Sequence, residues 1–262
     1  MLNQHENTYI IFHILVSEDI YDEQKPVIDE ICLEYKNCRI NYYKLKDEFK
    51  EFSTSGYIRR TPATYYRLLL QNLLQNEKKT IYFDCDTLIY KDLTELYNYN
   101  ISEKYYVGEY EGITIKIYGE NISCINSGAI LINLENLRKD NIFPKIIDYL
   151  RNYNNSLFFL DQDAINVVCN KKNGFFPSNY FSYGVCSLKK LKKINQDKSN
   201  LLINELKEPY IFHFKGYTKP WFGIAKRRNK FICFDFFPRF YEYARKTKYY
   251  FYILEKFPCF LK

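Results

Sequence analysis

Residues 80–86 read Thr80-Ile81-Tyr82-Phe83-Asp84-Cys85-Asp86, four strand-forming side chains that end abruptly in two carboxylates. Thr, Ile, Tyr and Phe favour the pleated, half-buried surface of a sheet. On an extended chain residues two apart point to the same side, so Asp84 and Asp86 face one spot. The ends of strands in a parallel sheet are where α/β proteins hold ligands. Two hard oxygen donors together suit Mn2+ or Mg2+, which usually share their shell with substrate phosphates. An Asp-x-Asp pair also occurs in ordinary surface turns, so the rest of the chain has to decide.

Outward from this strand, Tyr9–Val16 and Arg39–Leu45 read as strands. Between them Pro26–Lys36 has helical spacing through Val27, Ile28, Ile31 and Tyr35. Thr61–Gln75 predicts a helix capped by Thr61, with Pro62 in its first turn and Leu68, Leu69 and Leu73 on a face. Ser127–Leu134 is an apolar strand, Pro144–Tyr153 a helix, and Asp161–Val168 a helix with Asp161 as N-cap. Lys189–Lys198 is a polar, basic connector. Short apolar runs alternating with amphipathic stretches predict an α/β fold with a mainly parallel central sheet flanked by helices. Residues 1–220 form the domain; from 221 to 262 the composition turns aromatic and basic.

Composition narrows the class. A hydrophobic share of 47% excludes disorder, and a net charge of +7 implies an anionic partner only where it is clustered. No apolar run is long enough to span a bilayer, and the N-terminus lacks the basic start and small-residue cleavage site of a signal peptide. Eight cysteines sit singly, without metal-ligand spacing, which reads as reduced thiols in a cytoplasmic protein.

A second chemical segment is His213-Phe214-Lys215-Gly216-Tyr217-Thr218-Lys219-Pro220-Trp221. A lone His beside the apolar run Tyr210–Phe212 is usually structural. Here Gly216 lets backbone approach a ligand, a Lys can meet phosphate as a point charge, and a neutral imidazole completes a shell begun by Asp84 and Asp86.

Five segments in order now carry a resemblance: Tyr65-Tyr66-Arg67-Leu68, Tyr82 to Asp86, Asn126-Ser127-Gly128, Leu160-Asp161-Gln162-Asp163, and His213 to Trp221. Over residues 9 to 221 the chain resembles glycosyltransferase family 8, which includes lipooligosaccharide galactosyltransferases, bacterial glucosyltransferases and glycogenin. The resemblance implies a GT-A-type, Rossmann-like nucleotide-diphospho-sugar transferase fold. It further implies retaining transfer of galactose or glucose from UDP-galactose or UDP-glucose to a lipooligosaccharide or other glycan acceptor. Asp84, Asp86 and His213 would bind Mn2+, with Mg2+ as the alternative; Asp84 would also touch the ribose, with Cys85 against the donor. Arg67 would sit near the donor sugar and diphosphate; an ion pair within the fold is the bland reading, and the two roles can coexist. Asn126, Ser127 and Gly128 would approach the hexose. Asp161 and Gln162 would meet sugar hydroxyls near the anomeric carbon as the catalytic pair. Gly216 and Lys219 would hold the diphosphate, while Asp163 would support its helix N-terminus.

Retention ordinarily calls for a carboxylate nucleophile. The matching residue is Gln162, a neutral amide, which favours front-side attack with the leaving phosphate accepting the acceptor's proton.

The chain also departs from the family, whose first strand ends in small and acidic residues followed by a Tyr or Asn that grip uracil and ribose. Phe12-His13-Ile14-Leu15 resembles the family's second strand, with Met1–Asn7 the end of the loop before it. The competing alignment makes Tyr9–Val16 the first strand and Glu18, Asp19 and Tyr21 the nucleotide grip. On the first alignment the catalytic domain is N-terminally incomplete, through a mis-set start codon, a truncated gene, or a strand donated by a partner; the first of these is the preferred expectation. A nucleotide-sugar-binding remnant and a protein-glucosylating, glycogenin-like enzyme are the competing functions.

In the tail, Lys226, Arg227, Arg228, Lys230, Arg239, Arg245, Lys246, Lys248, Lys256 and Lys262 mingle with Phe and Tyr. That pattern fits peripheral attachment to the anionic inner face of the plasma membrane and a lipid-linked acceptor. The bland reading is a packed helix with a solvated basic face. No motif for reading nucleic acid accompanies it, so no nucleic-acid partner is expected.

Overall fold

The computed structural model describes residues 4–52, 61–117, 120–153, 157, 159–176, 181–183, 210–214 and 240–256. The chain opens with β1 (Ile10–Ser17), α1 (Glu18–Glu34) and β2 (Cys38–Leu45), a βαβ unit in which β1 and β2 pair in parallel from Ile10↔Cys38 to Ser17↔Leu45. The helix begins eight residues ahead of the Pro26 expected to open it. Glu18 and Asp19 sit in its first turn, where negative charge complements the helix dipole, and the Ser17 hydroxyl donates to the Asp19 carboxylate. The Tyr21 ring lies edge-on to Tyr42, 5.5 Å away, with the Lys44 ammonium 3.7 Å from its centroid, and Glu18 pairs with Lys46 at 3.4 Å.

Residues 61–75 differ from the expected α-helix. Pro62–Leu69 is a 3-10 helix that passes into a single α turn, α2 (Leu70–Leu73), and Thr61 makes no side-chain cap. Tyr65, Tyr66, Arg67 and Leu68 are buried in succession, so this segment is enclosed all round instead of presenting one apolar face.

Next come β3 (Lys79–Phe83), β4 (Thr87–Ile89), α3 (Thr94–Asn98), β5 (Tyr106–Ile117) and β6 (Glu120–Asn133). Ala129, Ile130, Leu131 and Ile132 on β6 are all buried, the mark of a strand covered on both faces. It is followed by α4 (Leu134–Lys139), α5 (Ile142–Tyr153), α6 (Asp161–Val168) and β7 (Asn173–Phe175). Ile142, Ile146, Ile147 and Leu150 form the buried stripe of α5. The strand order β3-β6-β5-β7 makes a four-stranded sheet, while β1-β2 stands as a separate two-stranded sheet.

The remaining strands are β8 (Phe181–Tyr183) and β9 (Ile211–His213), and the last described helix is α7 (Tyr250–Lys256). The order β4-β9-β8 gives a three-stranded sheet, β4 antiparallel and β8 parallel to β9. The chain divides into two compact units, Met1–Tyr82 with Asp92–Phe176, and Phe83–Lys91 with Pro177–Lys262. The expected change of character at residue 220 and the connector Lys189–Lys198 lie outside the described residues.

Candidate active site

The two carboxylates that follow β3 are brought to His213 by strand pairing. Antiparallel register sets Thr87 opposite His213 and Leu88 opposite Phe212, and the Phe214 amide donates to the Asp86 carbonyl at 2.9 Å. His213, 127 residues beyond Asp86 in sequence, thereby lies beside it.

 His213 Nε2 is 3.1 Å from Asp86 Oδ1 and 3.6 Å from Asp84 Oδ2, and the ligand atoms of all three residues lie within 4.8 Å of one another. His213 is buried and the two aspartates are half-buried, so the trio opens toward solvent on its carboxylate side. Two carboxylate oxygens and an imidazole nitrogen form a donor set that fits a divalent ion, Mn2+ better than the oxygen-seeking Mg2+. Cys85, between the two aspartates, is exposed.

The second group of expected residues converges inside the other unit. Between the cross-strand pairs Gly108↔Ile130 and Tyr110↔Ile125 the register shifts, so Glu109 alone on β5 faces residues 126–129 of β6. Asn126, Ser127 and Gly128 therefore occupy a bulge, a device that re-aims side chains and is common next to active sites. The Asn126 side chain braces it, its Oδ1 accepting from the Gly128 amide at 3.0 Å. Gly108 lets β5 come close, since a Cβ there would lie 2.9 Å from Ile130 Cγ2 and 3.2 Å from the Asn126 carbonyl oxygen.

Against this bulge stand Arg67 and the first turn of α6. Arg67 Nε is 3.1 Å from Asp161 Oδ2, with only 6% and 2% of the two side chains exposed. The guanidinium also donates to the carbonyls of Ser127 and Thr64 and lies 4.6 Å from the centroid of the Tyr82 ring. Asp161 accepts from the hydroxyls of Thr64 at 3.1 Å and Ser127 at 3.3 Å. Gln162 Oε1 accepts from the Ser127 amide at 3.0 Å and from Asn126 Nδ2 at 3.3 Å. Next to this pair, burial pushes the Tyr106 phenol well above its ordinary range, which keeps it neutral.

Arg67, Asn126, Ser127, Gly128, Asp161 and Gln162 are thus one hydrogen-bonded cluster, and Asp84, Asp86 and His213 another. Gly216 and Lys219 lie outside the described residues. The N-cap of α6 is Leu160 and not Asp161, whose carboxylate is drawn to Arg67 instead of to its own helix end. Asp163 supports that end as expected, accepting from the Phe159 amide at 2.7 Å. Thr64, Tyr82 and Asn166 were not anticipated as members of the cluster. Asn166 carried a signal, an Asn in mid-helix, where its side chain competes with the backbone unless a specific partner claims it.

Comparison with known proteins gives the family and the fold. A family model described as glycosyl transferase family 8 matches residues 1–225. A Haemophilus influenzae protein named as a glycosyltransferase is 33% identical over 232 residues, covering 84% of this chain and 66% of its own length. General stress protein A of Bacillus subtilis is 30% identical over 195 residues, 68% of each protein. The chain therefore spans about two thirds of the length of these relatives. Among solved structures, the galactosyltransferase LgtC in complex with donor and acceptor sugar analogs superposes with a TM-score of 0.65 at 16% identity, covering 91% of this chain and 96% of that one. The bifunctional glycosyltransferase WbbM in its apo form gives 0.69 at 14% identity, covering 95% and 52%. At these identities the likeness shows the fold, a GT-A-type α/β architecture.

Proposed function

The chain belongs to glycosyltransferase family 8, and from that premise we propose that it is a retaining, divalent-metal-dependent hexosyltransferase moving galactose or glucose from a UDP-sugar to a glycan acceptor. The observation that carries this reading is the Asp84–Asp86–His213 trio, whose ligand atoms gather within 4.8 Å. Its mixed oxygen and nitrogen donors favour Mn2+ as the resident ion, with coordination positions left for diphosphate oxygens. When bound, such an ion neutralises charge that builds on the departing UDP.

The buried cluster supplies the sugar side. Arg67 is held on three sides, by Asp161, the Ser127 carbonyl and the Tyr82 ring, so it fixes the bulge without needing to move. Asn126, Ser127 and Gly128 then present a rigid edge to the donor hexose. Gln162 is the residue beside the anomeric carbon. Its carbonyl oxygen already accepts two hydrogen bonds, and an amide is a poor nucleophile. Asp161 is committed to Arg67 and two hydroxyls, and Asp163 to the Phe159 amide. Gln162, Asp161 and Asp163 are thus each engaged elsewhere, which supports front-face transfer, the acceptor hydroxyl passing its proton to the leaving phosphate. Lys219 and Gly216 belong to this reading as holders of the diphosphate.

The acceptor reading is a lipid-linked glycan at the cytoplasmic face of the membrane. Among the described residues no helix is long and apolar enough to cross a bilayer. Surface attachment is supported by residues 240–256, where Arg245, Lys246 and Lys248 are exposed beside exposed Phe251 and Tyr252. A second reading, a nucleotide-sugar binder without turnover, is favoured by one observation: β1-β2 is a separate sheet and not part of the four-stranded one.

The deciding experiment is hydrolysis of UDP-galactose and UDP-glucose by the full chain with Mn2+, the anomer of the released sugar read by proton NMR. Turnover with retained configuration, lost in Asp86→Ala, is the expected result. Binding of UDP without turnover selects the second reading, and a trapped glycosyl adduct on Asp161 or Asp163 overturns the front-face route.

A further inference from the structure

We propose that Asn166 is a positioning residue for sugar transfer, locking Gln162 and the β6 bulge into one piece. The proposal rests on Gln162 being the residue beside the anomeric carbon.

Asn166 is fully buried in the middle of α6, at 1% exposure. Its Oδ1 accepts from the Ile125 amide at 2.8 Å, and its Nδ2 donates to the Ile125 carbonyl at 2.9 Å and to the Gln162 carbonyl at 2.8 Å. The first two bonds copy what a neighbouring strand would offer, a donor and an acceptor presented together to one residue. The third ties the same amide to the backbone of Gln162, one turn earlier. Because Ile125 N–H can only donate and both carbonyls can only accept, the network fixes which way the Asn166 amide faces.

The place of this clamp matters. Ile125 is the last paired residue before the bulge that holds Asn126 and Ser127, and those two residues donate to the Gln162 side chain. Asn166 therefore closes a loop: Gln162 backbone, Asn166, Ile125, the bulge, and back to the Gln162 side chain. The opposite end of the same turn is held against its preference. Leu160 adopts φ 57° and ψ −113°, a conformation that favours glycine, and Asp163 grips the Phe159 amide just ahead of it. A strained turn stays in place only when its surroundings over-determine it, and Asn166 supplies the restraint on the downstream side. Slackening it shifts Gln162 against the donor sugar by a fraction of an ångström, which costs rate more than ground-state binding.

The test uses the full chain with Mn2+ and UDP-galactose or UDP-glucose, whichever the wild type hydrolyses faster. Asn166→Ala and Asn166→Asp are made in the wild-type and Gln162→Ala backgrounds, and kcat and donor KM are measured separately, with thermal midpoints. In the wild-type background kcat is expected to fall roughly tenfold or more while KM changes by less than about threefold. In the Gln162→Ala background the same substitution is expected to lower kcat by less than about twofold, since Asn166 acts through Gln162. Asn166→Asp keeps the shape and the acceptor but loses both donated hydrogens, so it carries the test if the alanine variant does not fold. Equal losses in both backgrounds, or a lowered melting point with kcat unchanged, overturn the proposal. A wild type without turnover sinks the transferase reading itself and this proposal with it, a result distinct from either.

Discussion

Arg67→Met removes the guanidinium but keeps an apolar stem of similar reach. It takes the cation away from the Asp161 carboxylate, 2% exposed, to which the Thr64 and Ser127 hydroxyls still donate. A buried carboxylate that loses its cation either stays charged at high cost or takes up a proton. Protonation sets the ceiling on that cost. At pH 7, about three units above the ordinary aspartate value near 3.9 and at 1.36 kcal/mol per unit, it comes to about 4 kcal/mol. Breaking a buried pair from one side typically costs roughly 3–5 kcal/mol, so the two routes agree. For a chain of this size about 4 kcal/mol corresponds to a fall of roughly 8–16 °C in melting midpoint.

The pH dependence distinguishes charge from packing. In the variant the folded state holds a proton that the unfolded state releases above a pH of about 3.9, so stability falls as pH rises, by about 1.4 kcal/mol per unit. Between pH 7 and pH 5 the charge-dependent deficit should shrink from about 4 to about 1.5 kcal/mol. The lost hydrogen bonds to the Thr64 and Ser127 carbonyls add a part that does not vary with pH. Urea denaturation at pH 5, 6 and 7, with each variant measured against wild type, reads both parts. Arg67→Met/Asp161→Leu removes both charges and should recover most of the stability at pH 7 while remaining inactive. A deficit that is flat with pH, or a double variant no more stable than the single one, would refute the assignment of Arg67 and Asp161 as a charge pair in a dry cluster.

Three further outcomes are expected. Chelation by EDTA should abolish turnover and Mn2+ restore it, with His213→Gln weakening Mn2+ affinity at least about tenfold by calorimetry and far-UV circular dichroism unchanged. Gly108→Ala should destabilise by roughly 1–3 kcal/mol in thermal melting, because its Cβ would lie 2.9 Å from Ile130 Cγ2 in a packed region. Burial lowers the pKa of His13, partly countered by Glu77 and reinforced by Arg39, while Tyr43 Oη lies 3.0 Å from its Nδ1. A depressed pKa means the unfolded state binds the proton first, so stability should drop as pH falls from about 7 through the depressed folded value, and His13→Gln should flatten that slope in pH-dependent melts.

The parts of this fold that could be read from sequence are those fixed by neighbours along the chain. Thr80–Phe83 and Asp161–Val168 form the elements expected of them, because residue propensity and apolar spacing act over a few residues, although the cap expected of Asp161 is not formed. The start of α1 was misplaced because Pro26 suits a first turn, while the acidic pair at Glu18 and Asp19 gave the competing signal that won. The bulge at Asn126–Gly128 was legible only as a motif. Its geometry comes from the register of β5 against β6, with Gly108 allowing the approach, and register is a long-range property. Thr64 and Asn166 went unseen for the same reason: their partners, Asp161 and Ile125, are 97 and 41 residues away.

The network also bears on how a neutral amide can serve a retaining transfer. The Ser127 amide can only donate, so the atom of Gln162 that faces it must be the carbonyl oxygen, and Asn126 Nδ2 shares the same acceptor. Asn126 cannot be turned round to relieve this, because its own oxygen is held by the Gly128 amide. What Gln162 has left to offer is its NH2 end, two hydrogen-bond donors without a lone pair for attack on carbon. Donors at that position can hold a sugar hydroxyl or an oxygen that gains negative charge as the glycosidic bond stretches, and they are already oriented before the donor arrives. On the reading proposed above, the cluster places a fixed dipole where an attacking carboxylate would otherwise stand. The Arg67–Asp161 pair keeps one carboxylate of that turn from taking the part itself, and the Phe159 amide engages the other, Asp163.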